Sequence, residues 1–291
     1  MITRGCTSRA GLRPAARRVS SLRCGPRLAQ QDLPKVRTRV ASLLRVQLTE
    51  QVWLVGSGST GFSTTHPRDC HVYMIASDGD GVLIDTGAGI DVSPLLAEIE
   101  RAGAASVVDR ILVTHAHADH SGGAAELREA LGAEVHASHE VATYLRNGDA
   151  EKASFDVMKA PGGYPDDYWY HSCKVDAELV AGQRLAVGSL EVEVVPASGH
   201  SSGHLAFALH RPGGVDLFSG DAAFAHGRVL LQDLWDCSIR ESTRTIRRFA
   251  KLKPDGFYPG HGLIAISEGW NHIYSAMDEI LSGLPPRQLT F

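Results

Sequence analysis

Thr114-His115-Ala116-His117-Ala118-Asp119-His120-Ser121-Gly122-Gly123 is the stretch on which the fold and the chemistry of this chain turn. It follows the apolar run Ile111-Leu112-Val113, which predicts a short buried strand, and it precedes a helical pattern over about 122–131. His115 and His117 are two apart on an extended segment, so both side chains leave the same face. Two neutral imidazoles on one face can bind a single cation. Asp119 and His120 fall at the turn into the helix and face a neighbouring position. The chain holds 14 histidines in 291 residues, so an H-x-H-x-D-H string is not expected by chance.

The same placement recurs three times further along. Gly199-His200 follows Val194-Val195, Gly220-Asp221 follows Leu217-Phe218, and Gly260-His261 follows Phe257-Tyr258. Strand ends along one edge of a sheet converge, so residues remote in sequence can share a site there. A glycine before each ligand lets the backbone approach closely and turn. Five imidazoles and two carboxylates together suit one binuclear site of nitrogen and oxygen donors. Asp85, in Asp85-Thr86-Gly87 after Val82-Leu83-Ile84, occupies a further strand end.

Around these points strands and helices alternate. Apolar runs at Val52 to Val55 and Val72 to Ala76 predict strands, and Ser93-Pro94 starts a helix that stops at Gly103. A strand at Glu134 to Ala137 lies between helices at about 122–131 and 139–146, with Gly132 as the C-terminal signal and Ser138 as N-cap. Residues 148–175 interrupt the rhythm with Pro161-Gly162-Gly163 and an aromatic cluster, an irregular insertion of the kind that covers a site. From it Tyr164, Tyr168, Trp169, Tyr170 and His171 are candidate substrate contacts. Strands at 184–187, 190–195, 204–210 and 215–219 follow, and their succession predicts antiparallel pairing. A helix at about 239–252, a strand at 257–259 and a helix from Trp270 to Leu281 complete the pattern. Residues 46–291 therefore read as one α/β domain.

Residues 1–45 are a separate object. They carry ten Arg and Lys35 against Asp32, which leaves 18 basic and 32 acidic residues in the remainder. This basic N-terminal arm is read as a disordered tail, a mitochondrial-type transit peptide or sequence upstream of the true start; no apolar h-region marks it as a secretory signal. No stretch reaches the roughly 20 apolar residues of a spanning helix, so no membrane role is expected. Five cysteines, none in a C-x-x-C pair, indicate neither a disulfide framework nor a thiolate zinc site. The expected location is cytoplasmic, or mitochondrial if the arm is a transit peptide. The acidic body argues against a nucleic-acid partner.

Asp85-Thr86-Gly87, the 115–120 cluster, Gly199-His200, Ser219-Gly220-Asp221 and Pro259-Gly260-His261, in this order, resemble the metallo-β-lactamase-fold hydrolases, in particular their glyoxalase II-like branch. The resemblance implies an αββα four-layer sandwich with two metal ions, two Zn2+ or in their place Fe or Mn, at one edge. His115, His117 and His200 would hold the first, Asp119, His120 and His261 the second, and Asp221 would bridge them, with Asp85 steadying the histidine loop from behind. It further implies a hydrolase in which a metal-bridging hydroxide, oriented by the catalytic Asp119, attacks a small carbonyl substrate, a thioester, ester or lactone. Only 30 residues follow His261, too few for the glutathione-binding helices of glyoxalase II. A mononuclear iron persulfide dioxygenase and a phosphodiesterase or nuclease of the same fold are the alternatives. The partner is a small-molecule substrate, and the sequence does not speak to oligomeric state.

Overall fold

The computed structural model describes residues 46–103, 107–155 and 164–290. The basic arm at 1–45 and the Pro161-Gly162-Gly163 segment lie outside these residues. Within them the chain forms two mixed sheets. The first has the order β1 (Val52–Gly56), β2 (Val72–Ser77), β3 (Asp80–Ile84), β4 (Val108–Leu112), β5 (Glu134–Ser138) and β6 (Ala177–Leu179). β1 to β3 pair antiparallel, and β3 to β6 run parallel. Parallel neighbours need a crossover, which α1 (Ser93–Arg101) supplies between β3 and β4. The short α2 (Ala118–Ser121) and α3 (Ala124–Leu131) supply the next, between β4 and β5. α4 (His139–Asn147) follows β5.

The second sheet takes β7 (Arg184–Val187), β8 (Leu190–Pro196), β9 (Leu205–Arg211) and β10 (Gly214–Gly220) as an antiparallel meander, as their succession predicted. β10 then pairs parallel with β12 (Gly256–Pro259), after α5 (Ile239–Leu252) has crossed over. A two-stranded ribbon of β11 (Arg228–Val229) and β13 (Arg287–Gln288) and the helix α6 (Trp270–Leu281) complete the described chain.

Strand alternation decides the layering. Tyr73, Ile75, Val82, Ile84 and Leu112 of the first sheet meet Val192, Val194, Phe207, Leu209, Phe218 and Tyr258 of the second in one buried core. The intervening residues Val72, Met74, Leu83 and Ile111 face away, onto Leu95 and Ile99 of α1, Leu127 of α3 and Val141 of α4. On the far side Ala206, Ala208, Leu217 and Phe257 pack on Ile246 and Phe249 of α5 and Ile273 and Ala276 of α6. Because successive side chains on a strand point to opposite faces, each sheet buries both, and three cores separate four layers. The fold is an αββα sandwich.

Local signals hold where they were read. Ser138 Oγ accepts from Val141 N at 3.2 Å as the α4 cap, and Gly132 ends α3 in the left-handed region. One difference concerns the helix expected at 122–131. Ala118–Ser121 is already helical, so Asp119 and His120 lie inside a first turn, and the chain restarts at Ala124 after Gly122-Gly123. Among the described residues no helix is long and apolar enough to cross a membrane.

His71, which opens toward β2, carries a pH-dependent share of stability. Its Nε2 lies 3.0 Å from the Gly262 carbonyl, while Nδ1 is buried without a partner. Burial pushes its pKa down to about 4. The folded pKa lies below that of the unfolded chain, so from about pH 6.5 down to about 4 the unfolded state takes up the proton first and stability falls. The loss amounts to about 3 kcal/mol over that window. Denaturant unfolding at pH 7 and pH 4.5 should show His71→Gln losing about 2 kcal/mol less than the parent on acidification.

Candidate metal centre

Five strand ends build one site. β3 ends at Asp85, β4 leads into His115 and His117, β8 into the turn that carries His200, β10 into Asp221 and β12 into His261. Backbone bonds lock these ends together: Asp85 N donates to Leu112 O at 3.0 Å, Leu205 N to Thr114 O at 2.8 Å and Gly260 N to Gly220 O at 2.9 Å.

The structure gathers the seven predicted side chains into two adjoining groups. Ligand atoms of His115, His117 and His200 lie within 4.8 Å of one another, as do those of Asp119, His120 and His261. His200 Nε2 stands 2.9 Å from His117 Nδ1, and His261 Nε2 is 3.1 Å from Asp119 Oδ2. Asp221 sits between the groups: Oδ2 is 3.7 Å from His200 Nε2 and 3.6 Å from His261 Nε2, and Oδ1 is 3.3 Å from His120 Nε2.

Tautomers are set from outside. His200 Nδ1 donates to Leu230 O at 2.7 Å, and His120 Nδ1 donates to Asp85 Oδ2 at 2.8 Å. His261 Nδ1 meets Thr60 Oγ1 at 2.7 Å, and His115 Nδ1 meets Thr114 Oγ1 at 2.9 Å. Each of these rings therefore turns Nε2 inward, as a metal-binding histidine does. Asp85 also accepts from Thr114 N and Thr114 Oγ1, and it holds this position at φ 65°, a conformation that costs a non-glycine residue about 1–2 kcal/mol. The structure thus places Asp85 behind the histidine loop.

Two buried ring nitrogens of the site, His115 Nε2 and His117 Nε2, have no hydrogen-bond partner among the described residues, and Asp221 Oδ1 has only the 3.3 Å contact with His120 Nε2. Such orphans cost about 1–3 kcal/mol each unless something binds them. Burial, and then the neighbouring His200, holds His117 down at about 3; burial and the surrounding imidazoles hold His115 well below its usual range. Both are neutral at pH 7, the state that donates a lone pair. The set fits a pair of divalent cations with mixed nitrogen and oxygen coordination.

Glycine is required where the chain crowds this centre. A Cβ on Gly260 would lie 2.2 Å from Asp221 Oδ1 and 2.6 Å from His120 Cε1. Gly260→Ala keeps all seven candidate ligand residues in the sequence yet displaces Asp221 and His120, and we expect kcat/KM to fall about a hundredfold. Steady-state rates beside zinc content of the purified variant check this; a variant with unchanged rate contradicts the packing.

A cavity of about 220 Å³ opens on the site, lined by His117, Asp119, His200, Asp221 and His261 together with Thr60, Pro67, Arg68, Asp69, Ser154, Leu230, Gln232 and Leu234.

The family model of the metallo-β-lactamase superfamily matches residues 66–261, from the loop before β2 through His261. The chain belongs to the metallo-β-lactamase superfamily. It is 28% identical to a β-lactamase-like protein 2 homolog of Drosophila melanogaster, over 66% of this chain and 58% of that one. It is 32% identical to a hydroxyacylglutathione hydrolase of Rhodospirillum rubrum, over 55% and 53%. To an atrochrysone carboxyl ACP thioesterase of Aspergillus fumigatus it is 26% identical, over 67% and 51%. The chain thus spans little more than half the length of these relatives. Among solved structures, a metallo-β-lactamase with a HARLDQ motif from Cronobacter sakazakii superposes with a TM-score of 0.61 at 19% identity, covering 80% of this chain and 93% of that one. A subclass B3 metallo-β-lactamase of Bradyrhizobium japonicum does so at 0.59 and 22%, covering 81% and 93%. At these identities the likeness is one of superfamily fold.

None of Tyr164, Tyr168, Trp169, Tyr170 and His171 lines the cavity of this superfamily member. Tyr164, Tyr168 and Tyr170 pack with Phe155 and the first-sheet helices, Tyr168 donating to Ala88 O at 2.6 Å and Tyr170 sharing a 2.7 Å bond with Ser121 Oγ. Trp169 and His171 are exposed. Tyr168 and Tyr170 spend their hydroxyls on nearby polar groups, while the buried Tyr164 hydroxyl has no hydrogen-bond partner among the described residues.

Sequence reasoning also passed over two contributors. His204 is buried and stacks on His115 at 4.5 Å, and its Nε2 accepts from Asp221 N at 3.2 Å. Its spacing of four from His200 was the signal available. Thr60, which holds His261, lies in a loop with no motif of its own.

Proposed function

We propose that this chain is a dinuclear zinc hydrolase that cleaves a small carbonyl substrate, a thioester or an ester. The observation that carries the reading is the meeting of five imidazoles and two carboxylates, five of which (His117, Asp119, His200, Asp221 and His261) line one open cavity while His115 and His120 lie directly behind them. His115, His117 and His200 would hold one cation and Asp119, His120 and His261 the other, with Asp221 shared between them. Bound there, two divalent cations acidify a water and polarise a carbonyl oxygen.

The chain's own groups do the rest. Asp119, at the cavity wall, can take a proton from the attacking water and return it to the leaving group. Pro67, Leu230 and Leu234 give the cavity an apolar wall for the acyl portion, and its volume suits a small group rather than a polymer. Relatives named as a hydroxyacylglutathione hydrolase and an ACP thioesterase support an acyl substrate.

A substrate panel tests the proposal: S-lactoylglutathione, an acyl-homoserine lactone, an aryl ester, an aryl phosphodiester and glutathione persulfide, each with and without chelator. We expect turnover of an acyl compound that chelator abolishes and zinc restores. Full turnover by metal-free protein, or oxygen consumption with the persulfide instead, overturns it.

A further inference from the structure

Among the polar side chains that line the cavity, Arg68 and Ser154 have no task in the metal centre. Arg68 is the one Lys or Arg side chain among the described residues lining it, and it is half-buried without an ion-pair or hydrogen-bond partner. The turn that presents it is pre-formed. Asp69 N donates to His66 O at 2.9 Å, Pro67 fixes the second position, and Ser59 N donates to Pro67 O at 2.9 Å. Asp69 is the carboxylate nearest in sequence, yet it turns inward: Oδ2 accepts from His66 N at 3.0 Å and Oδ1 from Ala88 N at 2.9 Å. Asp119 and Asp221 are engaged with the histidines. The guanidinium is therefore a cation in the cavity whose countercharge is not supplied among the described residues.

Ser154 is the second. It is 5% exposed, and its Oγ is buried with no partner. Its backbone sits at φ 55°, a conformation that serine rarely adopts and that clusters at ligand-binding positions. Ser154 N donates to Glu151 O at 3.0 Å, and the adjoining Ala153 O accepts from Ala118 N at 3.2 Å, which fastens this turn to the histidine loop. A guanidinium on a pre-formed turn and a hydroxyl donor, both unpaired among the described residues and both lining one cavity, are what a carboxylate needs.

We infer that Arg68 and Ser154 form an anion subsite beside the metal centre, which holds a carboxylate carried by the acyl substrate away from its scissile bond. The inference rests on the hydrolase reading and narrows it to anionic acyl compounds. Arg68 positions; it takes no part in bond breaking.

Binding to zinc-loaded full-length protein tests this apart from turnover. Isothermal titration compares 3-mercaptopropionate with 3-mercaptopropionamide, two thiols that anchor alike on a metal and differ in charge at the far end. The parent should bind the carboxylate about 10- to 100-fold more tightly. Arg68→Gln should reduce the preference to about twofold or less, Arg68→Lys should keep part of it, and Ser154→Ala should weaken carboxylate binding alone. Equal affinities in the parent, a preference that survives Arg68→Gln, or failure of both thiols to bind overturns the subsite. An Arg68-dependent preference in a protein that hydrolyses no acyl compound keeps the subsite and overturns the hydrolase. Turnover without any such preference does the reverse.

Discussion

Asp221→Ala should lower kcat/KM by about a thousandfold or more while the protein still unfolds in one cooperative transition. The carboxylate reaches His200 and His261 through Oδ2 and His120 through Oδ1, so among the described carboxylates it is the one placed between both histidine groups. Removing it strips the negative charge that would hold two dications together and leaves Asp119 as the sole carboxylate among the seven. Burial opposes its ionisation, but His261 and His120 outweigh this and keep Asp221 well below the usual carboxylate range, so it is charged at pH 7. None of the three apolar cores includes it. The packing that stabilises the sandwich is therefore untouched. His115→Ala should cost a comparable factor by removing one of three nitrogens. Rates of both variants, with thermal melts beside them, check the claim; either variant keeping more than about a tenth of the parent rate contradicts the assigned roles.

Asp85 gives the second large effect, on stability and metal affinity together. Asp85→Ala leaves three buried donors unanswered, Thr114 N, Thr114 Oγ1 and His120 Nδ1, and each unsatisfied group costs about 1–3 kcal/mol. We expect a loss of about 3–5 kcal/mol in denaturant unfolding. Asp85→Asn tolerates φ 65° and keeps one acceptor, so its stability loss should be smaller. Its amide cannot accept every bond, and His120 loses the charge that fixes its tautomer. Zinc affinity should therefore fall about 10- to 100-fold. An Asp85→Asn protein with unchanged zinc affinity would contradict the positioning role.

Much of this arrangement was legible before any coordinates. The seven side chains stand at or just beyond strand ends, in four segments that each follow an apolar run, and three of them directly follow a glycine, so position and chemistry could be read together. Layering followed from period two: Leu190, Val192 and Val194 face the core between the sheets, and Glu191 and Glu193 do not. What remained hidden lies in loops, where neither period nor spacing constrains direction. Tyr168 and Tyr170 resemble a substrate wall in sequence and are packing in space, because aromatic content does not say which face is dry. Arg68 and Ser154 come from segments 86 residues apart, and only tertiary structure brings them to one cavity. The two-glycine interruption after Ser121 reads as helix continuation under a 3.6 period, yet it divides α2 from α3.

The central claim is that these side chains form a single two-cation centre, and a zinc-edge anomalous diffraction map of crystals grown with zinc tests it most directly. The account predicts two peaks about 3.5–4 Å apart, one among His115, His117 and His200 and one among Asp119, His120 and His261, with the Asp221 carboxylate between them. A map with no peak at these residues, or with zinc only elsewhere on the protein, would contradict it.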